Sequence, residues 1–136
     1  MKTSVNSLCP CGSGKKYKRC CQPFHNGKVA KTALELMKSR FSGYAFSLWA
    51  YIIKTTHKEN QEFTTQTEDW KKEIVAFSTQ TSFERLKILE FVDGEEESFV
   101  TFEATLTSNK EDVSFIEKSR FLKVNHIWYY HSGEFL

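Results

Sequence analysis

The stretch CPCGSGKKYKRCC, residues 9–21, contains all four cysteines of a 136-residue chain. Four thiols this close together can form disulfides, remain free or bind one metal ion together. Neighbouring cysteines bridge only through a strained ring, and disulfides are disfavoured in a reducing compartment. Four free structural cysteines would leave the clustering without a physical reason. The spacing therefore favours a metal site.

Zinc takes four soft ligands in a tetrahedron and is the usual metal of a four-cysteine site. The cysteines form a CxC pair and a CC pair, separated by eight residues. In an extended segment the first pair would point to the same face. At the end of a short helix, neighbouring side chains diverge by only about 100°, which would let the second pair reach one ion. The sequence predicts one zinc ion bound by Cys9, Cys11, Cys20 and Cys21.

The segment between the two pairs is strongly basic. Ser13 is the candidate N-cap of the predicted short helix, and Tyr17 is expected to cover the metal site or to offer a stacking surface. His25, four residues beyond the last cysteine, is a candidate spare ligand. Four thiolates around Zn²⁺ sum to a charge of −2, which nearby cations can offset. The cations predicted to do this, and to contact a partner, are Lys15, Lys16, Lys18 and Arg19.

The charge of the chain is unevenly distributed. Residues 1–40 carry nine Lys and Arg against one Glu, a net charge of +8, whereas residues 41–136 carry ten against sixteen acidic residues, a net charge of −6. A basic segment of this kind can bind phosphates, acidic protein surfaces or anionic lipid, or it can be merely a solvated surface. We expect an acidic macromolecular partner, a protein rather than a nucleic acid.

The rest of the composition is that of a globular protein. Hydrophobic residues make up 40% and aromatic residues 15% of the chain, which predicts a dense core. The apolar stretch at 44–53 is about half of the roughly 20 residues that a membrane-spanning helix needs, and the N-terminus lacks the apolar region of a secretory signal. We therefore expect a cytoplasmic protein.

The middle of the chain has a helical pattern. The sequence TALE at 32–35 predicts a capping box. Apolar residues from Ala33 to Ile52 then recur at steps of three and four, with a break or bend expected at Ser42-Gly43. The sequence TEDW at 67–70 predicts the start of a second, short helix, with Trp70 packed into the core.

From about Glu73 the apolar residues alternate with a period of two. This pattern predicts strands over 85–92, 98–107, 113–124 and 126–130, joined by turn-like segments. Short connections predict an antiparallel meander. The expected fold class is α+β, with a curved antiparallel sheet wrapped on a helical layer.

The cysteine stretch resembles the SEC-C motif found at the C-terminus of the preprotein translocase SecA, with Cys21 in the place of the SecA histidine. Nearly the whole chain is similar to the YchJ family, including the segments at 20–60 and 117–133. The resemblance implies a zinc knuckle over residues 1–28 and a SnoaL-like (cystatin-like) cone domain over 29–136. Because the SecA motif is a docking element, it also implies a docking role for the knuckle.

The chain departs from the YchJ pattern at two places. It has His57-Lys58 where the family has His-Pro, and Ile116-Glu117 where members often have His before this Glu. A pocket role for that second histidine is therefore absent here.

A cone fold encloses a pocket, and the candidate polar residues for it are Arg40, His57 and Glu117. We expect Arg40 to pair with a strand carboxylate and His57 to be a hydrogen-bonded structural residue. No catalytic residue is predicted, so whether the chain is an enzyme stays open. A non-enzymatic adaptor is the primary hypothesis, a ligand-binding protein or enzyme using the cone pocket is the alternative, and a homodimer is possible. The knuckle is expected to share little core with the cone domain.

Overall fold

A computed structural model describes residues 6–136, so that the first five residues of the predicted knuckle lie outside it. A 3₁₀ turn at Tyr17–Arg19 precedes the helices α1 (Gln22–His25), α2 (Ala33–Ala45), α3 (Trp49–Lys54) and α4 (Thr67–Gln80). The strands are β1 (Thr81–Val92), β2 (Glu97–Ser108), β3 (Glu111–Asp112), β4 (Phe115–Val124) and β5 (Ile127–Phe135). Among residues 6–136, no helix has the length and apolar character that crossing a membrane requires.

The predicted capping box begins α2. The hydroxyl of Thr32 accepts a hydrogen bond of 3.1 Å from the amide of Glu35. The Glu35 carboxylate accepts one of 2.7 Å from the amide of Lys31 rather than from that of Thr32. These bonds satisfy amide groups that a helix N-terminus otherwise leaves unpaired.

We expect Thr32→Ala to lower the free energy of unfolding by about 1 kcal/mol, because it removes the cap of α2. Urea denaturation measures this loss. Thr65→Ala, at an exposed position in the loop before α4, is the matched control and should change stability by less than about 0.5 kcal/mol. Equal stability of the two variants would contradict the role of the cap.

The helical segment that was predicted to break at Ser42-Gly43 ends further along the chain. Gly43 is buried inside α2, and the chain turns instead at Ser47, whose φ is 59°. A Cβ at Gly43 would lie 3.3 Å from the Tyr51 ring and 3.4 Å from Ile52. The absence of a side chain at Gly43 therefore allows α3 to pack closely against α2, and the glycine does not break the helix.

The change from helical to alternating spacing of apolar residues, predicted at about Glu73, also comes later in the structure. The helix α4 runs to Gln80, with Trp70, Ile74 and Ser78 buried at steps of four. The prediction of Trp70 as a packing residue is confirmed. The alternating pattern begins only at Thr81, where β1 starts.

The sheet is the predicted antiparallel meander, in the order β1-β2-β4-β5, with β3 paired to β2. Register shifts interrupt the pairing twice in β1 and once between β4 and β5. Irregularities of this kind bend strands and increase their twist, which is consistent with a curved sheet. The expected α+β class is confirmed. One face of β2 is buried through Val100, Phe102, Ala104 and Leu106.

The knuckle and the cone domain share one core, contrary to expectation. Cys9, Cys11, Tyr17 and Cys21 are buried in the same apolar cluster as Leu86 and the inner face of β2. A Cβ at Gly12 would lie 3.3 Å from the Leu86 carbonyl oxygen, so the backbones of the two parts nearly touch. The knuckle is therefore packed against the sheet rather than tethered beside it.

Candidate metal centre

The structure brings the four predicted ligands together. The sulfur atoms of Cys9, Cys11, Cys20 and Cys21 all lie within 4.8 Å of one another. All four cysteines are free thiols, and three of them are buried. The cluster combines donor groups from both ends of the predicted motif in one place.

A tight turn positions the first pair, in place of the expected extended segment. The Gly12 amide donates to the Cys9 carbonyl over 3.2 Å, and Leu8 bridges to Lys16 in antiparallel fashion. Gly12 and Gly14 both have φ near 83°, a conformation that glycine adopts without steric cost. The chain thus reverses between the two cysteine pairs and carries the second pair back to the first.

The predicted short helix is a single 3₁₀ turn at Tyr17–Arg19. Lys16 occupies its N-cap position, and its side chain makes no capping hydrogen bond. Ser13 is therefore not its N-cap. Its hydroxyl accepts a hydrogen bond from the Lys15 amide and lies 3.1 Å from the sulfur of Cys20. A hydroxyl at this distance can donate to a thiolate and orient it, as outer-shell groups do around bound metals.

The separations of the sulfur atoms fit a tetrahedral metal site. With metal–sulfur bonds of about 2.3 Å, a tetrahedron places its sulfur atoms about 3.8 Å apart. The sulfurs of Cys11 and Cys20 are 3.5 Å apart, and those of Cys20 and Cys21 are 4.0 Å apart. The four cysteines could therefore hold a metal ion with little rearrangement.

The thiols also influence one another's ionisation. Hydrogen bonds from Cys21 and Cys9 hold the pKa of Cys11 far below its ordinary value, to about 2. The same interaction with Cys11, together with burial, raises the pKa of Cys9 and of Cys21. Cys11 therefore loses its proton more readily than Cys9 or Cys21, and a bound dication would favour the thiolate form of its ligands.

His25 fastens the knuckle to α2 and is not a spare ligand in this structure. Its Nε2 donates to the Ser39 carbonyl oxygen over 2.8 Å, which leaves Nδ1 to accept from the Tyr17 hydroxyl at 2.6 Å. Burial lowers the pKa of His25, in keeping with a neutral ring. Tyr17 also packs edge-on against Phe46, so its role is packing rather than stacking on a partner.

The four predicted partner-binding side chains are all exposed. Lys18 and Arg19 lie in the 3₁₀ turn, whereas Lys15 and Lys16 precede it. The short helix predicted to follow Ser13 therefore does not carry all four. All four cations still lie on the one short segment that connects the two cysteine pairs.

Arg40 and Glu117 line the same cavity between α2 and the sheet. The prediction that Arg40 pairs with a strand carboxylate is wrong, because no salt bridge to it forms within residues 6–136. Its Nη1 donates instead to the Ile52 carbonyl and to the hydroxyls of Thr55 and Thr56. The guanidinium lies 4.6 Å from the centre of the Tyr130 ring.

His57 is buried but lies outside that cavity. Its Nδ1 accepts a hydrogen bond from the Glu59 amide over 2.9 Å, as expected for a structural residue. His57, Glu59 and His131 bring ligand atoms within 4.8 Å of one another. In this structure, however, Nδ1 of His57 accepts from the Glu59 amide, and Nε2 of His131 lies 3.2 Å from the Glu59 carboxylate, so these groups already have partners within the protein. Burial also lowers the pKa of His57.

Sequence reasoning missed three residues beside Glu117. Its Oε2 accepts hydrogen bonds from Ser119 at 2.5 Å and from the Tyr130 hydroxyl at 3.0 Å. A Cβ at Gly133 would overlap the same oxygen. A hydroxyl two residues from a carboxylate on one strand is a weak sequence signal, and pairing across β4 and β5 cannot be read from a motif.

Comparisons with known proteins match both parts of the chain. The model of the YchJ middle NTF2-like domain matches residues 32–133, and the SEC-C motif model matches residues 6–23. The predicted boundary at residue 28 lies between the two matches and stays a prediction.

Curated relatives cover almost the whole chain. It is 34% identical to UPF0225 protein VP1145 of Vibrio parahaemolyticus over 132 residues, which cover 95% of this chain and 75% of that protein. It is 37% identical to a UPF0225 protein of Serratia proteamaculans over 131 residues, covering 93% and 82%.

Two solved structures share the fold. The solution structure of RPA3114, a SEC-C motif containing protein from Rhodopseudomonas palustris, has a TM-score of 0.78 and 29% identity, covering 94% of this chain and 98% of that one. The crystal structure of a SEC-C motif containing protein from Psychrobacter arcticus has a TM-score of 0.76 and 24% identity, covering 94% and 82%.

A cysteine cluster that could hold a metal, packed on an NTF2-like α+β domain, defines the class of this protein. The chain belongs to the YchJ family, whose curated relatives carry the name UPF0225. The resemblance inferred from the sequence is thereby confirmed.

Proposed function

We infer that the protein is a zinc-binding adaptor, whose knuckle docks on an acidic partner while the cone domain acts as a scaffold. Zinc as the metal is supported by the donor set, since four thiolates in a tetrahedron suit this ion best. When bound, the metal supplies structural cross-linking rather than a reactive centre. The proposal places the protein in the cytoplasm, because thiols stay reduced there.

The observation that supports a docking role is that four exposed cations lie on one segment, which a buried residue in its middle anchors to the rest of the fold. Lys15, Lys16, Lys18 and Arg19 flank the buried Tyr17, which His25 connects to α2. A segment fixed in this way loses little conformational freedom on binding. Exposed charges are screened over about 8 Å at physiological ionic strength, so this binding must weaken with salt.

We expect Lys15→Glu/Lys18→Glu to abolish most partner recovery in a pulldown from lysate, because two attractions become repulsions. Wild type and variant are compared at low and at physiological salt, with and without nuclease treatment. Partner recovery that survives nuclease supports a protein partner, whereas its loss identifies a nucleic acid.

The matched control is Lys72→Glu/Lys110→Glu, which changes the net charge equally at exposed positions in α4 and in the β2–β3 turn. This control should recover the partner as wild type does. Equal recovery by all three proteins at both salt concentrations would remove the basic knuckle from the mechanism.

A ligand or substrate in the cone pocket is the second candidate function. It is supported by one observation, the buried Arg40 that lines an interior cavity without a carboxylate partner among residues 6–136. A homodimer is compatible with either function, since exposed apolar residues such as Leu89 and Val92 lie on β1.

A further inference from the structure

The cavity between α2 and the inner face of the sheet, which we call the inner cavity, is large enough for a small ligand. Its volume is about 170 Å³. An apolar cavity of about 150 Å³ is known to hold benzene. The inner cavity therefore has room for one aromatic ring or a branched aliphatic group. Its apolar walls include Met37, Phe41, Phe77, Phe83, Phe102 and Phe121.

A buried cation lines this cavity. The Arg40 side chain is only 7% exposed, and no carboxylate of residues 6–136 forms a salt bridge with it. Its Nη1 donates to three neutral oxygens, those of Ile52, Thr55 and Thr56. A buried charge that lacks an ionic partner is costly unless further polar groups reach it. The guanidinium therefore favours an additional hydrogen-bond acceptor from the cavity.

A carboxylate lines the same cavity without pairing to that cation. The Glu117 Oε2 atom is held by the hydroxyls of Ser119 and Tyr130. Gly133 leaves the space that the carboxylate occupies, since a Cβ there would overlap Oε2 and would lie 2.6 Å from the Tyr130 hydroxyl. Arg40 and Glu117 thus give the cavity a cationic and an anionic group, with no formal net charge between them.

The inner cavity adjoins a larger and more polar one, which we call the outer cavity, of about 650 Å³. Among residues 6–136, six line both cavities, four with polar side chains and two phenylalanines: Arg40, Tyr44, Glu117, Tyr130, Phe77 and Phe115. Both charged groups therefore lie where the cavities meet, whereas four phenylalanines in this range line the inner cavity alone: Phe41, Phe83, Phe102 and Phe121. A ligand that enters would bury its apolar part first and leave its polar group between Arg40 and Glu117.

We propose that the inner cavity binds a neutral small molecule with a ring-sized apolar group and a head group that accepts from Arg40 and donates to Glu117. A primary carboxamide has this chemistry. A carboxylate would meet repulsion from Glu117, and an ammonium group would meet repulsion from Arg40. A neutral head group leaves both charges satisfied. This site does not depend on the docking role of the knuckle.

The test uses three probes with the same ring and different head groups: phenylacetamide, phenylacetate and phenethylamine. Each is titrated into the ¹⁵N-labelled full chain at pH 7, followed by two-dimensional NMR. We expect phenylacetamide to bind with a Kd on the order of 1 mM, typical of ligands this small. The two charged probes should bind about tenfold more weakly. Shifts should be concentrated at amides of β2 and β4 that line the cavity, including Phe102 and Phe121.

A charge variant sharpens the test. Glu117→Gln removes the anionic group and should reverse the preference, so that phenylacetate binds better than phenylacetamide. Glu103→Gln, on the neighbouring strand β2 and absent from the cavity lining, is the control and should preserve the wild-type order. The wild-type ranking stands as a test by itself if Glu117→Gln does not fold.

The proposal is overturned by shifts that avoid the cavity, by equal binding of the three probes, or by no binding of any probe at millimolar concentration. It is also overturned if a folded Glu117→Gln protein keeps the wild-type order.

Discussion

Replacing Cys21 with serine, or removing the metal from the wild type with a chelator, is expected to destabilise the whole chain and not the knuckle alone. Structural zinc contributes about 10–16 kcal/mol of apparent binding free energy in small zinc-finger peptides at pH 7. Here Cys9, Cys11 and Cys21 belong to the same buried cluster as Leu86 of β1. Disordering the knuckle would therefore expose part of the core of the cone domain to water.

Differential scanning calorimetry with and without chelator measures this coupling. The metal-free protein and Cys21→Ser should both unfold at a lower Tm than the zinc-loaded wild type. Zinc added back to the chelated wild type should restore its Tm, and the same addition should not restore that of Cys21→Ser. A main transition that is unmoved by chelation would contradict the shared core and support an independent knuckle.

Phe121→Ala is expected to cost about 3–5 kcal/mol of unfolding free energy. The Phe121 side chain is 1% exposed and packs edge-on against Tyr130, with ring centres 5.7 Å apart. Deleting the ring removes buried apolar contact and enlarges the inner cavity. Because the total stability of a natural domain is only about 5–15 kcal/mol, the variant should lie close to unfolding at room temperature.

Urea denaturation of Phe121→Ala and of Phe135→Ala makes the comparison. Phe135 lies in β5 and is 74% exposed, so its truncation should cost about 1 kcal/mol or less. Similar losses in the two variants would show that burial on the inner face does not dominate the stability of the sheet.

The sequence predicted those features that local patterns encode. Thr32 and Glu35 stand at the spacing of a capping box, and the alternation of apolar residues over 98–107 predicts the strand that the structure shows as β2. The four-cysteine cluster was predictable because all four thiols lie within residues 9–21, and four close thiols are a usual ligand set for one metal ion. The YchJ resemblance then supplied the architecture that joins these parts.

Features that depend on tertiary packing could not be predicted in the same way. Gly43 resembles a helix breaker in sequence, but the side chains of Tyr51 and Ile52 occupy the space beside it. The end of α4 lies beyond its predicted position because apolar residues after Glu73 fit a short alternating pattern as well as a helical one.

The contacts of the candidate site also depend on tertiary packing and could not be predicted from local sequence. Nothing local indicates that His25 joins Tyr17 to the Ser39 carbonyl, or that Arg40 lacks a carboxylate partner in the described part of the chain. Both facts depend on which segments lie side by side after folding. The knuckle accordingly looks separate in sequence and is packed on the sheet in the fold.

Cobalt substitution can show whether one metal ion is held by the four cysteine thiolates, as proposed for zinc. We expect one cobalt per chain, with the intense visible bands of a tetrahedral site and the ultraviolet charge-transfer bands of thiolate ligands, and zinc should displace it. Metal affinity should fall sharply in Cys21→Ser. A spectrum without tetrahedral thiolate bands, or undiminished zinc affinity in Cys21→Ser, would contradict the four-cysteine site.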